Sequence, residues 1–98
     1  MQLAVVDIET TGNNAAVDEI IQIGIVIVDN HQIIQKFDSY IYTDETISPF
    51  IESLTGINND MVRDAPSFDQ IAPRILELLQ NRYPLYHLII NVNGIDRQ

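Results

Sequence analysis

The feature that most constrains the fold is a run of β-branched, almost continuously apolar residues at positions 20–28 (IIQIGIVIV). A run of this kind is typical of a central strand that is covered on both faces of a sheet. Its longest wholly apolar stretch, counting Gly24, is residues 23–28, which is far too short to span a bilayer. With no basic signal-peptide pattern near Met1, the sequence predicts a soluble domain, no membrane partner and a cytoplasmic location.

Three other segments have strand patterns. Residues 2–8 (QLAVVDI) form an apolar run that includes Asp7 and predict a short buried strand. Residues 33–42 alternate between two faces and predict a third strand, which is antiparallel to the second through a turn at 29–32. Residues 85–92 (LYHLIINV) predict a fourth strand.

Two segments between the third and fourth strands have helical signals. Residues 49–56 predict a short helix, with Ser48 as its cap and Gly56 as its stop. Residues 67–80 place their apolar side chains on one face, and Ser67 with Gln70 matches a capping box. Pro73 is expected to loosen or kink the first turns of this helix. The order of three strands, a helix and a strand predicts an α/β or α+β layered fold.

The charge is strongly acidic for a chain of 98 residues: 14 Asp and Glu face 5 Lys and Arg, for a net charge of −9. This sign is wrong for a protein that binds nucleic acid through a basic surface. The acids either form a solvated surface that aids solubility, or some of them hold cations. There is no cysteine, which excludes disulfides and cysteine-bound metals. The length predicts one small domain over residues 1–98.

Two carboxylates stand at the end of the first strand, within the string DIETTG at residues 7–12. Residues two apart on a strand point to the same face, so Asp7 and Glu9 are expected to lie side by side. Like charges that close repel each other unless a cation or a proton lies between them, and Mg²⁺ prefers such oxygen ligands. The alternative is a strand that ends in solvent with two exposed acids.

The string DIETTG resembles the first motif of the DnaQ-like, or DEDD, 3′–5′ exonucleases. Later segments are similar to the same family in order and spacing, over about residues 1–80: DEIIQIG at 18–24, IESLTGI at 51–57, and APSF at 65–68. The chain looks most like the exonuclease domains of Gram-positive replicative polymerases and of DinG-like helicases. The resemblance implies a ribonuclease H-like fold, of which this chain holds the N-terminal portion: three antiparallel strands, a helix and a fourth strand.

The resemblance also implies a reaction, namely two-metal hydrolysis of phosphodiesters at DNA 3′ ends with Mg²⁺ or Mn²⁺. Asp7 resembles the carboxylate that bridges both ions, and Glu9 resembles the one that binds a single ion and helps to place the water. Thr10, Thr11 and Gly12 would lie along the terminal nucleotide. Leu54 resembles the apolar residue that packs on the terminal base; its alternative is plain core packing.

Residues 81–98 diverge from the family. Its second motif is a strand, His-Asn and then Phe-Asp, whereas here no His precedes Asn91 and no Phe precedes Asp96. Asp96 is a weak candidate for the third metal ligand, since it lies near the end, where chains fray. His87 is expected to be a satisfied, partly buried histidine, and His31 to be solvated in a turn. The family's third motif, a His base and a further Asp, would lie beyond residue 98.

These departures predict a truncated exonuclease domain that is inactive or nearly inactive alone. The first rival is a non-catalytic module with a ribonuclease H-like half-sheet, which binds nucleic acid or assembles with itself. The second rival is an enzyme completed by another chain. Binding to a DNA 3′ end or another single strand is expected to be weak and metal-dependent, and DNA against RNA stays open. An exposed apolar face and an open sheet edge, both left by the missing C-terminal part of the fold, predict a homo-oligomer, with exchange of the C-terminal strand as one form.

Overall fold

The computed structural model of the chain describes residues 2–12, 18–80, 86–92 and 95–97. Within these ranges, five strands form one sheet: β1 (Gln2–Thr10), β2 (Ile20–Asp29), β3 (Gln32–Tyr40), β4 (Tyr86–Val92) and β5 (Ile95–Arg97). Their order across the sheet is β3-β2-β1-β4-β5. β1 pairs with β4 in parallel and the other neighbours are antiparallel, so the sheet is mixed.

The four predicted strands are confirmed as β1 to β4, with ends that differ by a residue or two. The turn between β2 and β3 places Asn30 at φ 50° and His31 at φ 68°. Two consecutive positive φ values suit the right-handed twist of a tight hairpin. The chain leaves β2 just after β3. The N–H of Ile41 still donates to the Ile21 carbonyl of β2, but the N–H of Tyr42 donates to the Pro66 carbonyl, each at 2.9 Å.

The expectation that the chain frays around Asp96 is wrong for the backbone. Residues 95–97 form β5, which is antiparallel to β4 and places Asp96 opposite Asn91. A strand of three residues is too short to show a period-two pattern, so the sequence does not reveal it. β5 forms because β4 offers an unpaired edge on the side away from β1.

The helices lie between β3 and β4 and comprise α1 (Pro49–Thr55), α2 (Asn59–Val62) and α3 (Phe68–Gln80). α1 has its predicted caps, since Ser48 Oγ accepts from Ile51 N at 3.2 Å and Gly56 adopts φ 76°. α2 is absent from the sequence-based prediction because a single turn shows no apolar period. Its start is capped by Asn58, whose side-chain oxygen accepts from Met61 N at 3.1 Å.

The capping box of α3 is confirmed. The backbone N–H of Ser67 donates to Gln70 Oε1 at 2.8 Å, and the N–H of Gln70 donates to Ser67 Oγ at 3.3 Å. Pro73 lies inside the helix, which is continuous from Phe68 to Gln80. In the part of the chain that the structure describes, no helix is both long and apolar enough to cross a membrane.

The core lies between α3 and one face of the sheet. Its buried side chains come from β1, β2, α3 and the residue after β3, and include Ala4, Val6, Ile25, Ile41, Ile71 and Leu78. A second cluster joins Ile21 to α1 and α2. The expectation that β2 is covered on both faces is wrong within the described residues. Its odd-numbered residues 21–27 are buried, but the even-numbered residues 22–28 are only half-buried. Within the described residues, the face of the sheet away from α3 is therefore only partly covered, and this is its open face.

Candidate metal and nucleic-acid site

Asp7 lies in a row of register partners that crosses the whole sheet. It pairs with Gly24 of β2 on one side and with Asn91 of β4 on the other. Gly24 in turn pairs with Asp38 of β3, and Asn91 pairs with Asp96 of β5. The parallel pairing of β1 with β4 thus brings the divergent C-terminal residues to the acidic end of β1.

Asp7 and Glu9 lie on the open face of the sheet. Ala4 and Val6 pack in the α3 core, so the alternate residue Asp7 points away from α3, and Glu9 shares its side. Asp7 is exposed and Glu9 is half-buried. The prediction that both carboxylates share one face is confirmed. They lie over β2 at Gln22 and Gly24, and Gly24 leaves open space above the sheet.

The side chain of Asn91 holds Asp7 in place. Its Nδ2 donates a hydrogen bond to Asp7 Oδ1 at 2.8 Å. A donor on one oxygen fixes the carboxylate orientation and leaves the other oxygen and the remaining lone pairs as acceptors. The sequence pointed to Asn91 only as the Asn of an incomplete second motif. The bond itself depends on a parallel register that the sequence does not specify.

The two carboxylates affect each other electrostatically. Partial burial raises the pKa of the Glu9 carboxyl above its ordinary value, and the negative charge of Asp7 raises this pKa further. Among the described residues, the ion pairs are Arg63–Asp60 and Arg74–Glu77, and neither involves this acid pair. The repulsion is therefore not relieved by a described protein cation.

The turn after β1 is held by a buried threonine. Thr11 is 8% exposed, and its hydroxyl donates to Asp18 Oδ1 at 3.1 Å and accepts from Glu19 N at 3.0 Å. Its backbone N–H also donates to the Glu19 carbonyl at 2.9 Å. Thr11 therefore joins the turn to the start of β2. The prediction that it lies along a nucleotide stays a prediction.

Gly12 packs closely against an acidic side chain. A Cβ at this position would lie 2.6 Å from Asp18 Oδ2, so only glycine fits without a shift of the carboxylate. The Gly12 N–H donates to Thr10 Oγ1 at 3.3 Å, and the Thr10 hydroxyl donates to the Gly12 carbonyl. Thr10 and Gly12 thus brace the same turn. Their contact with substrate stays a prediction.

Thr43 supports this region and was missed by sequence reasoning. It is 4% exposed, donates through its hydroxyl to a Glu19 carboxylate oxygen and accepts from Glu45 N at 3.1 Å. Thr43 therefore connects the segment after β3 to Glu19, which is hydrogen-bonded to Thr11. No local pattern distinguishes a buried threonine in a loop from an exposed one.

The remaining candidates fall into two groups. Leu54 is 54% exposed on α1, so the alternative that it packs in the core is wrong, and its contact with a base stays a prediction. His31 is exposed in the hairpin turn, as expected. The side chains of His87 and Asp96 lie outside the described part of the structure, so the predictions for them stay open.

The residues present fit a divalent cation held by two carboxylates. Hard ions such as Mg²⁺ take carboxylate oxygens, and Asp7 and Glu9 are adjacent and mutually repulsive. Among the described residues, no group of three or more acids or histidines is arranged to hold a metal ion. This part of the site therefore offers two protein ligands, and the rest of the coordination sphere would be water or substrate.

Comparison with known proteins agrees with this architecture. The exonuclease family RNase_T matches residues 4–92. The 3′-5′ exonuclease DinG of Staphylococcus aureus (strain USA300) is 49% identical over 78 residues, which are 80% of this chain and 9% of that protein. The nuclease domain of 3′hExo, a DEDDh family member bound to rAMP, is 25% identical with a TM-score of 0.72, over 93% of this chain and 50% of its own. Exonuclease X in complex with 5′ overhanging duplex DNA is 27% identical with a TM-score of 0.66, and the match covers 74% of this chain and 42% of that chain.

The chain belongs to this exonuclease family. Its mixed sheet with α3 on one face is part of the ribonuclease H-like fold of the DEDDh exonucleases, as the resemblance of DIETTG implied. It spans 9% of the length of the DinG relatives that it matches.

Proposed function

We propose that this chain acts as the N-terminal part of a 3′–5′ exonuclease site, in which Asp7 and Glu9 hold Mg²⁺ or Mn²⁺ against the 3′-terminal phosphodiester of a DNA strand. The observation that carries this proposal is the paired carboxylates on the open face, one of them oriented by Asn91 at 2.8 Å. The relatives support the direction of attack, since the DinG protein is named as a 3′-5′ exonuclease.

The chemistry divides between the ion and the chain. A bound divalent ion would neutralise phosphoryl charge and lower the pKa of a coordinated water. Asp7 and Glu9 orient that ion, and the turn at Thr10, Thr11 and Gly12 shapes the adjacent surface. Asp96 is the third ligand in this proposal, because the family resemblance implies an Asp after the strand that follows α3, and β5 brings Asp96 into register with Asn91.

We further propose that the chain alone hydrolyses nucleic acid slowly or not at all. The pair Asp7 and Glu9 binds Mg²⁺ weakly, because such ions usually keep several waters and Asp96 lies two strands away from Asp7. No group described beside Asp7 and Glu9 is placed to accept the proton of the attacking water, and general base catalysis is typically worth about 10²–10⁴-fold in rate. A second chain that supplies this base would complete the site.

The net charge of −9 shapes the interaction with the substrate. Acidic groups repel the phosphate backbone unless a cation lies between them, so we expect binding that requires the divalent ion. DNA is the proposed substrate class. RNA is the alternative outcome of the test, since the neighbours include one structure with rAMP and one with duplex DNA.

The test is fluorescence anisotropy with a 5′-labelled single strand of ten thymidines, in Mn²⁺ and in EDTA. The proposal predicts binding in Mn²⁺ that is lost in EDTA and in Asp7→Ala. Asp38→Ala is the matched control, because it removes an acid from the same cross-strand row without touching the pair. Equal binding in EDTA, or equal loss in both variants, would contradict the proposal. The same strand in RNA decides between the substrate classes.

Self-assembly is the second candidate, and the open sheet face favours it. Half-buried apolar residues of β1 and β2, namely Leu3, Val5, Val26 and Val28, lie on this face, and Ile33 of β3 is 56% exposed. Apolar surface of this kind is stabilised by cover from a partner. A second copy stacked on the face would provide that cover, and exchange of the edge strand β5 is the other form of assembly. Light scattering tests it: Val5→Thr with Val26→Thr should shift a dimer to monomer, and a monomeric wild type would exclude it.

A further inference from the structure

A groove of about 320 Å³ lies between the start of β2 and the start of α3, apart from Asp7 and Glu9. Ile20 and Ile41 line its apolar part, and Ile41 is 2% exposed. Tyr42 and Phe68 line it as well and keep 46% and 43% of their surfaces exposed. Two exposed aromatic rings beside an apolar floor form a surface that a partner side chain can fill.

Backbone bonds fix the walls of this groove. The N–H of Tyr42 donates to the Pro66 carbonyl at 2.9 Å, which joins the wall after β3 to the wall before α3. The capping box of Ser67 and Gln70 holds the start of α3 at the same point. Because these bonds already fix the walls, little conformational entropy is lost when a ligand binds, and the ligand binds more tightly than it would to a groove with free walls.

The charge at the groove is negative. Glu19 and Asp69 are both exposed acids that line it. The described lysine and arginine side chains do not line it, and Arg63 and Arg74 are paired with Asp60 and Glu77. Such a lining repels phosphate groups and attracts a cation. A guanidinium meets both features, since it binds carboxylates through planar hydrogen bonds and stacks on aromatic faces.

From this geometry we infer that the groove lined by Tyr42, Phe68, Glu19 and Asp69 docks a short protein segment that carries an arginine between apolar residues. The apolar neighbours of the arginine pack on Ile20 and on the exposed surfaces of Tyr42 and Phe68, and its guanidinium reaches the two acids. The surface is a protein-docking site on the exonuclease domain, and it does not depend on metal binding at Asp7.

The test is NMR titration of the ¹⁵N-labelled chain with the peptide acetyl-Ala-Leu-Arg-Leu-Ala-amide in EDTA. We expect saturable shifts at Tyr42, Phe68 and Asp69, and no shifts at Asp7. The same peptide with citrulline in place of arginine keeps the shape and removes the charge. It should bind about three- to tenfold more weakly, in line with the worth of a cation–π contact.

Two variants locate the interaction, each with a matched control on α1. Phe68→Ala should weaken arginine-peptide binding about three- to tenfold, as the loss of a cation–π contact. Asp69→Asn should weaken it about two- to fivefold, as the loss of an exposed ion pair. Phe50→Ala and Glu52→Gln should leave it unchanged, since Phe50 is 71% exposed and both residues lie outside the groove. A dispersed spectrum of each variant confirms that it is folded before its affinity is compared.

Three results would overturn the inference. The first is equal binding of the arginine and citrulline peptides, and the second is equal loss of binding in the groove and control variants. The third is an oligothymidylate that shifts Tyr42 and Phe68 in EDTA while the arginine peptide does not, which would make the groove a base-stacking surface. The titration contains no divalent ion, so its result is independent of metal binding at Asp7. Peptide docking can be excluded while the metal site is confirmed, and the metal site can be excluded while peptide docking is confirmed.

Discussion

Asn91 donates a hydrogen bond from Nδ2 to Oδ1 of Asp7 at 2.8 Å, across 84 residues of sequence. The bond exists because β4 lies beside β1 in parallel, which sets these residues in register. One oxygen of Asp7 is thereby oriented, and the exposed carboxylate can present its remaining lone pairs to a cation. The following predictions depend on this arrangement and on the turn beside it.

Removal of the Asn91 amide should weaken cation binding without unfolding the sheet. A hydrogen bond contributes about 1 ± 0.5 kcal/mol, so Asn91→Ala should raise the Tb³⁺ dissociation constant about two- to tenfold. Sensitised terbium luminescence measures this constant directly. Gln32→Ala, at the exposed start of β3, is the control. An unchanged constant in Asn91→Ala would show that the bond does not position Asp7 for the ion.

The raised pKa of Glu9 should make the stability of the fold depend on pH. Because the pKa of Glu9 is raised in the folded chain, mainly by burial and then by Asp7, the folded state binds more protons than the unfolded state between the two pKa values. Stability therefore falls as the pH rises from the ordinary glutamate range through the raised pKa. In EDTA at pH 7, Glu9→Gln should raise Tm, and the gain should vanish at a pH well below the ordinary pKa.

The check is a series of thermal melts from acid to neutral pH for wild type and Glu9→Gln. Mg²⁺ should raise the Tm of wild type and change that of Glu9→Gln less, since the cation relieves the same repulsion. A Glu9→Gln variant that is less stable than wild type at pH 7 in EDTA would show that the charged carboxylate is stabilised in the fold.

Gly12 in the turn after β1 and Gly24 in β2 allow a controlled test of close packing at the turn. Gly12→Ala would place a Cβ 2.6 Å from Asp18 Oδ2, whereas Gly24→Ala meets no atom within 4 Å. The Asp18 carboxylate must move to relieve this clash and then loses its hydrogen bond from Thr11, so Gly12→Ala should lower the free energy of unfolding by about 1.5–3 kcal/mol. Gly24→Ala should change it by less than about 1 kcal/mol in either direction. Urea denaturation of both variants decides; equal effects would contradict the close packing at Gly12.

Thr43 should contribute more to the stability of the fold than is usual for a loop residue. Thr43→Val removes the hydroxyl that donates to Glu19 and accepts from Glu45 N, at a site that is 4% exposed. Each of these two hydrogen bonds contributes about 0.5–1.5 kcal/mol, so Thr43→Val should lower the free energy of unfolding by about 1–3 kcal/mol. Thr46→Val, at an exposed position, should be nearly neutral. Chemical denaturation measures the free energy of unfolding of both variants. Equal stability of Thr43→Val and Thr46→Val would show that the hydrogen bonds of Thr43 do not stabilise the fold.

Local sequence patterns predict most elements of this fold and one half of its site. The β-branched run of β2, the caps at Ser48 and Gly56, and the two-residue spacing of Asp7 and Glu9 each act over a few residues. Their geometry is therefore visible in the sequence. Cover of β2 on both faces was a wrong expectation, because the same apolar run suits a strand whose second face is open.

The parts that were missed depend on long-range pairing. The bond of Asn91 to Asp7 and the formation of β5 require the register between β1 and β4, which no local pattern specifies. The burial of Thr11 and Thr43 depends on how Glu19 lies between them. Both cases bring together segments that are distant in the chain, so a side chain's role follows only from the assembled sheet.

The central claim, that Asp7 and Glu9 hold a divalent cation, is tested most directly by Mn²⁺ titration followed by electron paramagnetic resonance. The signal of free Mn²⁺ falls as the ion binds. Wild type and Asp38→Asn are predicted to bind Mn²⁺ with the same affinity, and Asp7→Asn to lose that binding at least about tenfold. Binding of equal strength in wild type and Asp7→Asn would contradict the account.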